Sequence, residues 1–133
     1  MPEQTGIEPT KLEYVESLIS KATDAEQRNT EEALTLATEA LTLSKKYGFI
    51  KQEARSYLRI GRCHWIRSDF NEAIEYLGQS LDLSDRIQEI FTKVEALIGL
   101  GNVYVTMELI DQANSYYHNA LNMAKDHGYG ELE

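Results

Sequence analysis

A fixed step of 40 residues runs through most of the chain. The residues that recur at this step are small or apolar: Ala33, Ala73 and Ala113; Leu41, Leu81 and Leu121; Leu43, Leu83 and Met123; Gly61 and Gly101. Self-similarity at a period of this length is typical of architectures in which one structural unit is stacked several times. The sequence therefore predicts a repeat protein.

Each repeat holds two segments in which apolar or small residues recur at the spacing of one helix face. In the central copy these residues are Ala54, Tyr57, Leu58, Gly61 and Trp65, followed by Ala73, Leu77, Ser80, Leu81 and Ser84. This predicts six helices, over about 9–27, 30–46, 50–67, 70–85, a fifth that ends near 107, and 110–127. Gly61 and Gly101 are expected where paired helices approach closely. Lys21 stands 40 residues before Gly61, which predicts an atypical first helix.

The helix ends also carry recognisable signals. These are capping-box patterns at Asn29 with Glu32 and at Asp69 with Glu72, Pro9 in a first turn, and left-handed glycine stops at Gly48 and Gly128. Gln88 occupies the place equivalent to Gly48. We therefore expect that turn to close differently, with a longer entry to the fifth helix.

The repeated residues resemble the signature of the tetratricopeptide repeat (TPR) family. They are Ile60-Gly61 and Leu100-Gly101, then His64 and Tyr104, then Ala73, Leu77 and Ser80, and Ala113, Tyr117 and Ala120. The step is longer than the common 34 residues, which indicates a long-repeat variant of about 40 residues. It is similar to arrays in bacterial peptide-sensing regulators and kinesin light chains, and to those ahead of bacterial signalling output domains.

The resemblance implies an all-α, right-handed α-solenoid of about three helix-turn-helix repeats. We expect a flexible lead-in over 1–8 and a domain over 9–128, with repeats at about 9–48, 49–88 and 89–128. Residues 129–133 would be a tail that begins a truncated further repeat. The implied function is a protein-protein interaction module, as the interaction or sensory segment of a larger bacterial signalling or regulatory protein.

Composition limits the other classes of function. The formal charge of −9 argues against nucleic-acid and membrane partners, and we expect a cytoplasmic protein because no targeting or membrane-spanning segment stands out. His64, His118 and His127 are scattered, and the one cysteine, Cys63, lies beside His64 on a helix. Neighbouring helical residues point about 100° apart, so they do not form a chelating pair. We expect no enzyme activity, catalytic residue, metal or cofactor.

One basic stripe stands out on this acidic chain: Arg55, Arg59 and Arg62 lie at i, i+4 and i+7 on the third helix. In TPR proteins the first helix of each repeat lines the concave surface, so the resemblance implies a peptide-binding groove. Its predicted lining is Arg55, Arg59, Arg62, Ile66, Glu95, Ile98 and Asn102, and its partner is a peptide or helix, with an acidic segment favoured by charge. The alternative is that the arginines pair with Glu53, Glu95 or other acids of the protein and only keep the groove soluble.

The last helix supplies a second functional hypothesis. A stacked array leaves an apolar face on its terminal unit unless something covers it. The residues predicted to form that face are Tyr116, Tyr117, Leu121 and Ala124. Self-association into a homodimer through these residues is therefore the alternative to peptide binding.

Overall fold

The computed structural model describes residues 10–128, and within them the chain forms six α-helices. These are α1 (Lys11–Ala25), α2 (Thr30–Tyr47), α3 (Ile50–Ile66), α4 (Phe70–Arg86), α5 (Ile90–Thr106) and α6 (Ile110–Asp126). The prediction of an all-α helical-repeat solenoid is confirmed, with helix ends close to those expected. Thr10 begins α1 with a full capping box to Glu13, whereas Pro9 lies outside the described residues. The prediction of a long-repeat variant and the repeat boundaries stay predictions.

The helices form two layers. α3 packs against α1 and α5 as well as against its chain neighbours α2 and α4, whereas α2, α4 and α6 contact only their chain neighbours within the described region. The odd-numbered helices are therefore close together and the even-numbered helices are spread apart. This spacing curves the array, with α1, α3 and α5 on its concave side.

The turns after α2, α3, α4 and α5 share one geometry that recurs every 20 residues. Positive φ angles occur at Gly48, Ser68, Gln88, Glu108 and, after α6, Gly128. In each of the four turns the next amide donates to the carbonyl five residues earlier, as from Phe49 N to Ser44 O and from Glu89 N to Ser84 O, both at 2.9 Å. The expected different closure at Gln88 is therefore wrong. Gln88 takes the left-handed conformation with φ 58° despite its side chain, and α5 begins at Ile90 without a longer entry.

The two predicted N-caps on α2 and α4 behave differently. Asn29 Oδ1 accepts a hydrogen bond from Glu32 N at 3.1 Å, whereas Asn29 N donates to Ala25 O at 2.7 Å, so only one of the two bonds of the predicted capping box forms. Asp69 makes no side-chain cap bond, so its predicted capping box is wrong. Its carboxylate instead lies 3.2 Å from His64 Nδ1 and 3.6 Å from Arg67 Nε. Both contacts are made by Oδ2, and they direct the Asp69 side chain toward the end of α3.

The first helix is shifted by one residue relative to the 40-residue step. Its buried residues Val15, Leu18 and Ala22 precede Ala54, Tyr57 and Gly61 by 39 residues, and Lys21 is exposed. The reason is the turn after α1, which has no left-handed residue: Glu26 ends the helix with φ −51° and ψ −47°. Ala22, and not Lys21, therefore takes the place that Gly61 has in the next repeat.

Gly61 and Gly101 are positions of close helix packing. A Cβ at Gly61 would lie 2.6 Å from Leu77 Cγ and 3.0 Å from Leu77 N, and one at Gly101 would lie 2.5 Å from Tyr117 Cε1. Real Cβ atoms almost never come so close to other heavy atoms. In the first repeat the residue equivalent to Leu77 is Ala37, which is buried in one cluster with Ala22. The small partner leaves room for the methyl group that Gly61 could not carry.

Candidate partner-binding groove

An open cleft of about 320 Å³ lies on the concave side where α1, α3 and α5 meet. Its lining comes from all three helices: Ile19, Thr23, Arg55, Leu58, Arg59, Phe91 and Glu95. Three of the seven predicted groove residues, Arg55, Arg59 and Glu95, are thus brought together. The cleft combines apolar side chains with a few charged groups, which is the composition typical of ligand-binding clefts.

Arg59 is the fixed centre of this surface. Its side chain is buried, and its Nη1 lies 3.2 Å from Oε1 of Glu26. The other oxygen of Glu26, Oε2, accepts from Arg62 Nε at 2.8 Å. The Glu26 side chain is only 5% exposed, so one buried carboxylate at the end of α1 binds two arginines of α3. Charged groups are rarely buried unless they are paired in this way.

Glu26 is a member of the cleft's ionic network that sequence reasoning missed. It belongs to the turn after α1, outside any repeated motif, and its exposed sequence neighbours Gln27 and Arg28 give no sign that it is buried. Only the one-residue shift of α1 brings its carboxylate under Arg59 and Arg62. Nothing in the 40-residue pattern signals this position.

The outer arginine contacts are looser than those to Glu26. Arg55 Nη2 lies 3.4 Å from Oε2 of Glu89, and the Arg55 side chain is 34% exposed. Glu89 also accepts a hydrogen bond from the hydroxyl of Thr92. Arg59 Nη2 lies 3.6 Å from Oε2 of Glu95, whose side chain is 40% exposed. Each arginine of the stripe thus faces a carboxylate of the protein, and the three positive charges meet three negative ones.

The other predicted groove residues lie at the edge of the cleft or away from it. Ile66 is half-buried at the last position of α3. Asn102 is turned toward α6, where its Oδ1 accepts a hydrogen bond from the Tyr117 hydroxyl at 2.6 Å. Ile98 is 40% exposed on α5. Arg62 is held by Glu26 and lies with its Cζ 5.9 Å from the centre of the Trp65 ring.

The residues predicted for self-association pack largely inward against α5. Tyr116 stacks on Tyr104 with ring centroids 5.4 Å apart, Tyr117 covers Gly101, and Ala124 is buried. Burial raises the pKa of both tyrosines above its ordinary value of 10.0. Leu121 is half-buried. The large exposed apolar side chains of this end lie elsewhere, on α5, in the turn that follows it and at the first position of α6: Phe91, Ile98, Val105, Leu109 and Ile110.

A second cleft, of about 460 Å³, lies between α4, α5 and α6. Its charged lining is mostly acidic, with Asp82, Asp85 and Asp126, and its one basic side chain, Lys93, is already paired with Asp85. It is larger than the concave cleft but contains none of the arginines. The concave cleft is therefore the better candidate for recognition, because its lining includes Arg55 and Arg59, which belong to an ordered ionic network.

The residues considered for catalysis or metal binding, His64 and Cys63, are packed against other residues of the fold. The His64 ring stacks on Tyr76 at 5.5 Å, and its Nδ1 faces Asp69. Cys63 is buried, and the loss of solvent raises the pKa of its thiol from 9.0 to about 11. Between residues 10 and 128 no group of three or more His, Cys, Asp or Glu side chains is arranged to hold a metal ion. No helix in that same stretch is both long and apolar enough to cross a membrane.

Comparison with known proteins agrees with this geometry. No curated protein matches the chain. Among solved structures, the TPR domain of Arabidopsis FLU superposes with a TM-score of 0.78 at 19% sequence identity, over 88% of this chain and 99% of that one. At this identity the likeness shows the fold alone. The family model for the tetratricopeptide repeat matches residues 21–86 and 52–126, and together these two matches span the packed helices from the end of α1 to the end of α6. Paired helices, close-packed glycines and the sequence match lead to the same conclusion: the chain belongs to the tetratricopeptide repeat family.

Proposed function

We propose that the chain is a protein-interaction module whose concave cleft binds a peptide or partner helix. Repeats of this family generally mediate protein-protein interaction and are typically not enzymes. The observation that supports the cleft as the binding surface is its ordered polar centre. Arg59 forms an ion pair with the buried Glu26, and the more exposed side chains of Arg55, Phe91 and Glu95 line the cleft around it.

The expected partner segment is extended or helical and carries an acidic residue beside an apolar one. Arg55, the most exposed of the three arginines, and Arg59 line the same cleft and offer guanidinium groups to a carboxylate of the partner. Ile19 and Phe91 line the same cleft and offer apolar surface. Because the scaffold is already ordered, most of the ordering cost of binding falls on the peptide. We expect weak affinity, about micromolar or poorer, because exposed ionic contacts contribute only about 0.2–1 kcal/mol each.

The test is capture of peptides from a random library by the full chain and by two charge-reversal variants. Arg55→Glu removes an attractive group from the cleft and adds a repulsive one, so we expect it to lose most of the captured acidic peptides. Arg86→Glu is the matched control, because Arg86 is an exposed arginine at the end of α4, in the outer layer. Equal capture by wild type and both variants would contradict binding in the cleft. Arg59→Glu is a poorer test, because it would place a new carboxylate between Glu26 and Glu95 and so disturb the fold.

We propose self-association as the second candidate, through α5 and not through the inward-facing residues of α6. The observation that favours it is the exposure of Ile98, which is 40% exposed. Leu58, the equivalent residue 40 positions earlier, is only 1% exposed because it packs in the core against residues of α5. Phe91, Ile98 and Val105 recur every seven residues along one side of α5 and are similarly exposed. A second copy placed there would cover Ile98 as residues of α5 cover Leu58 on α3.

Sedimentation velocity over a range of concentrations tests the second candidate. We expect the wild type to dimerise as concentration rises and Ile98→Glu to remain monomeric. Ile50→Glu is the control, because Ile50 is a similarly exposed isoleucine at the start of α3 and is not part of the α5 stripe. A wild-type protein that stays monomeric at high micromolar concentration would exclude this interface.

A further inference from the structure

The position of Glu95 has a consequence for how the cleft is regulated. We infer that Glu95 is an internal competitor: in the free protein its carboxylate occupies the place that an aspartate or glutamate of the partner takes on binding. This inference rests on the proposed function and adds a mechanism of control to it. Three features of the cleft carry it: the fixed position of Arg59, the loose hold on Glu95, and the balance of charge.

The first feature is that the Arg59 side chain is fixed by Glu26, so it stays in place when the Glu95 side chain turns out of the cleft. Its Nη1 is 3.2 Å from the buried carboxylate of Glu26, and the Arg59 side chain is only 10% exposed. A charged side chain so deeply buried stays with its partner, because separating the two would leave both charges without compensation. The second nitrogen, Nη2, therefore remains directed at the same place whether or not Glu95 is there.

The second feature is that Glu95 is held weakly. Its Oε2 is 3.6 Å from Arg59 Nη2, beyond the usual N–H···O hydrogen-bond distance of about 2.7–3.2 Å. The Glu95 side chain is 40% exposed, so water can solvate its carboxylate as soon as it turns outward. Exposed ionic contacts of this kind contribute little, and this one can be exchanged at little cost. By contrast, the Glu26 contact to Arg62 at 2.8 Å is short and buried.

The third feature is the balance of charge. Arg55, Arg59 and Arg62 face Glu26, Glu89 and Glu95, so the cluster is neutral while Glu95 is in place. When Glu95 turns out, Glu26 and Glu89 remain opposite the three arginines, so the cluster has a net charge of +1 beside the apolar wall of Ile19, Leu58 and Phe91. The cleft then has room for one carboxylate from outside. The partner is therefore a peptide that presents one acidic side chain next to an apolar one.

The experiment uses two pools of nine-residue peptides that differ only at the centre. One pool has glutamate flanked by four random residues on each side, and the other has glutamine. Retention of each pool is measured on the full-length wild type and on Glu95→Gln, which keeps the size of the side chain and removes its charge. Glu75→Gln is the control, because Glu75 is an exposed glutamate on α4 and its substitution changes the net charge by the same amount.

We expect Glu95→Gln to retain the glutamate pool about three- to tenfold better than the wild type, and the glutamine pool equally well. The gain should shrink as salt rises from 0.1 to 1 M, because the Debye length falls from about 10 to 3 Å. Glu75→Gln should behave like the wild type with both pools. Thermal melting checks that the variants fold, and Glu95→Ala serves as a second variant with the same expected gain.

The outcomes separate this inference from the proposed function. If Glu95→Gln and Glu95→Ala retain the glutamate pool no better than the wild type while both pools still bind, the competitor role of Glu95 is overturned and the groove remains. If Glu75→Gln gives the same gain, the effect comes from net charge, and the competitor role is again overturned. If neither pool binds any of the proteins, the proposed function fails and the inference fails with it.

Discussion

Single residues decide how closely each helix pair of this array can approach. Gly61 packs directly against the Leu77 side chain and Gly101 against the Tyr117 ring, whereas Ala22 packs in one cluster with the smaller Ala37. The residue on the first helix is thus smaller where the residue on the second helix is larger. This exchange of volume is what a core packed at crystal-like density requires.

A pair of glycine substitutions tests this account of packing. We expect Gly61→Ala to destabilise the fold by about 1–3 kcal/mol, because its methyl group would meet the side chain and backbone of Leu77. Gly78→Ala is the matched control. A Cβ at Gly78, inside α4, would meet nothing within 4 Å, and the change should stabilise the helix by about 0.5–1 kcal/mol. Urea unfolding of both variants measures the two effects, and a Gly61→Ala midpoint at or above that of the wild type would contradict the account.

The buried thiol of Cys63 makes the packing of α1 on α3 measurable. Cys63 lies in a cluster with Ala25 and Ala33, and burial raises its pKa to about 11. We expect it to resist alkylation at pH 8 in the native protein and to react once urea unfolds the chain, because the thiolate is the reactive form. The raised pKa also means that native stability declines as the pH rises above the unfolded value of 9.0 toward 11, because only the unfolded thiol then ionises readily. Rapid labelling of the folded protein at pH 8 would show that α1 does not cover this residue.

At the scale of the helix, the even-numbered helices could be predicted closely from the sequence and the first helix could not. Ala33, Ala73 and Ala113 are all fully buried, as their 40-residue step predicts, because a short apolar side chain fits only one face of a packed helix. For α1 the same arithmetic selects Lys21 in place of Ala22. Ala22 and Ala33 are 11 residues apart, whereas the equivalent Gly61 and Ala73 are 12 apart, and no local signal in the sequence reports this one-residue difference. The burial of Glu26 follows from that turn and was unpredictable for the same reason.

The ionic contact between Glu26 and the two arginines fixes α1 to α3. We expect Glu26→Gln to destabilise the protein by about 3 kcal/mol, because Arg62 loses its charged partner and Arg59 loses its buried one. Glu31→Gln is the matched control: Glu31 is 77% exposed and pairs with Arg67 at 3.6 Å, and its loss should change stability by less than about 1 kcal/mol. Chemical denaturation of the two variants measures the difference. Equal effects would mean that the buried network is not what holds α1 in place.

At the scale of the whole molecule, the curvature of the array and the ion pairs in its cleft depend on different features of the sequence. The close odd-numbered helices and separated even-numbered helices form the concave side, and this arrangement follows from the repeat. The spacing of Arg55, Arg59 and Arg62 predicted that they share one face. Of the acids that meet them, Glu95 on α5 was named by the sequence analysis, whereas Glu26 from the turn after α1 and Glu89 from the turn before α5 were not. These pairs depend on how three separate helices stack, and the residue spacing within one helix carries no information about that stacking.

The central claim is that partners bind along the concave face formed by α1, α3 and α5. The most direct measurement is amide chemical-shift mapping by NMR on the full chain, with the tightest peptide captured from the random library as the probe. The account predicts that the largest shifts fall around Ile19, Arg55, Arg59 and Glu95. Shifts concentrated instead on α2, α4 and α6, with those four positions unchanged, would contradict it.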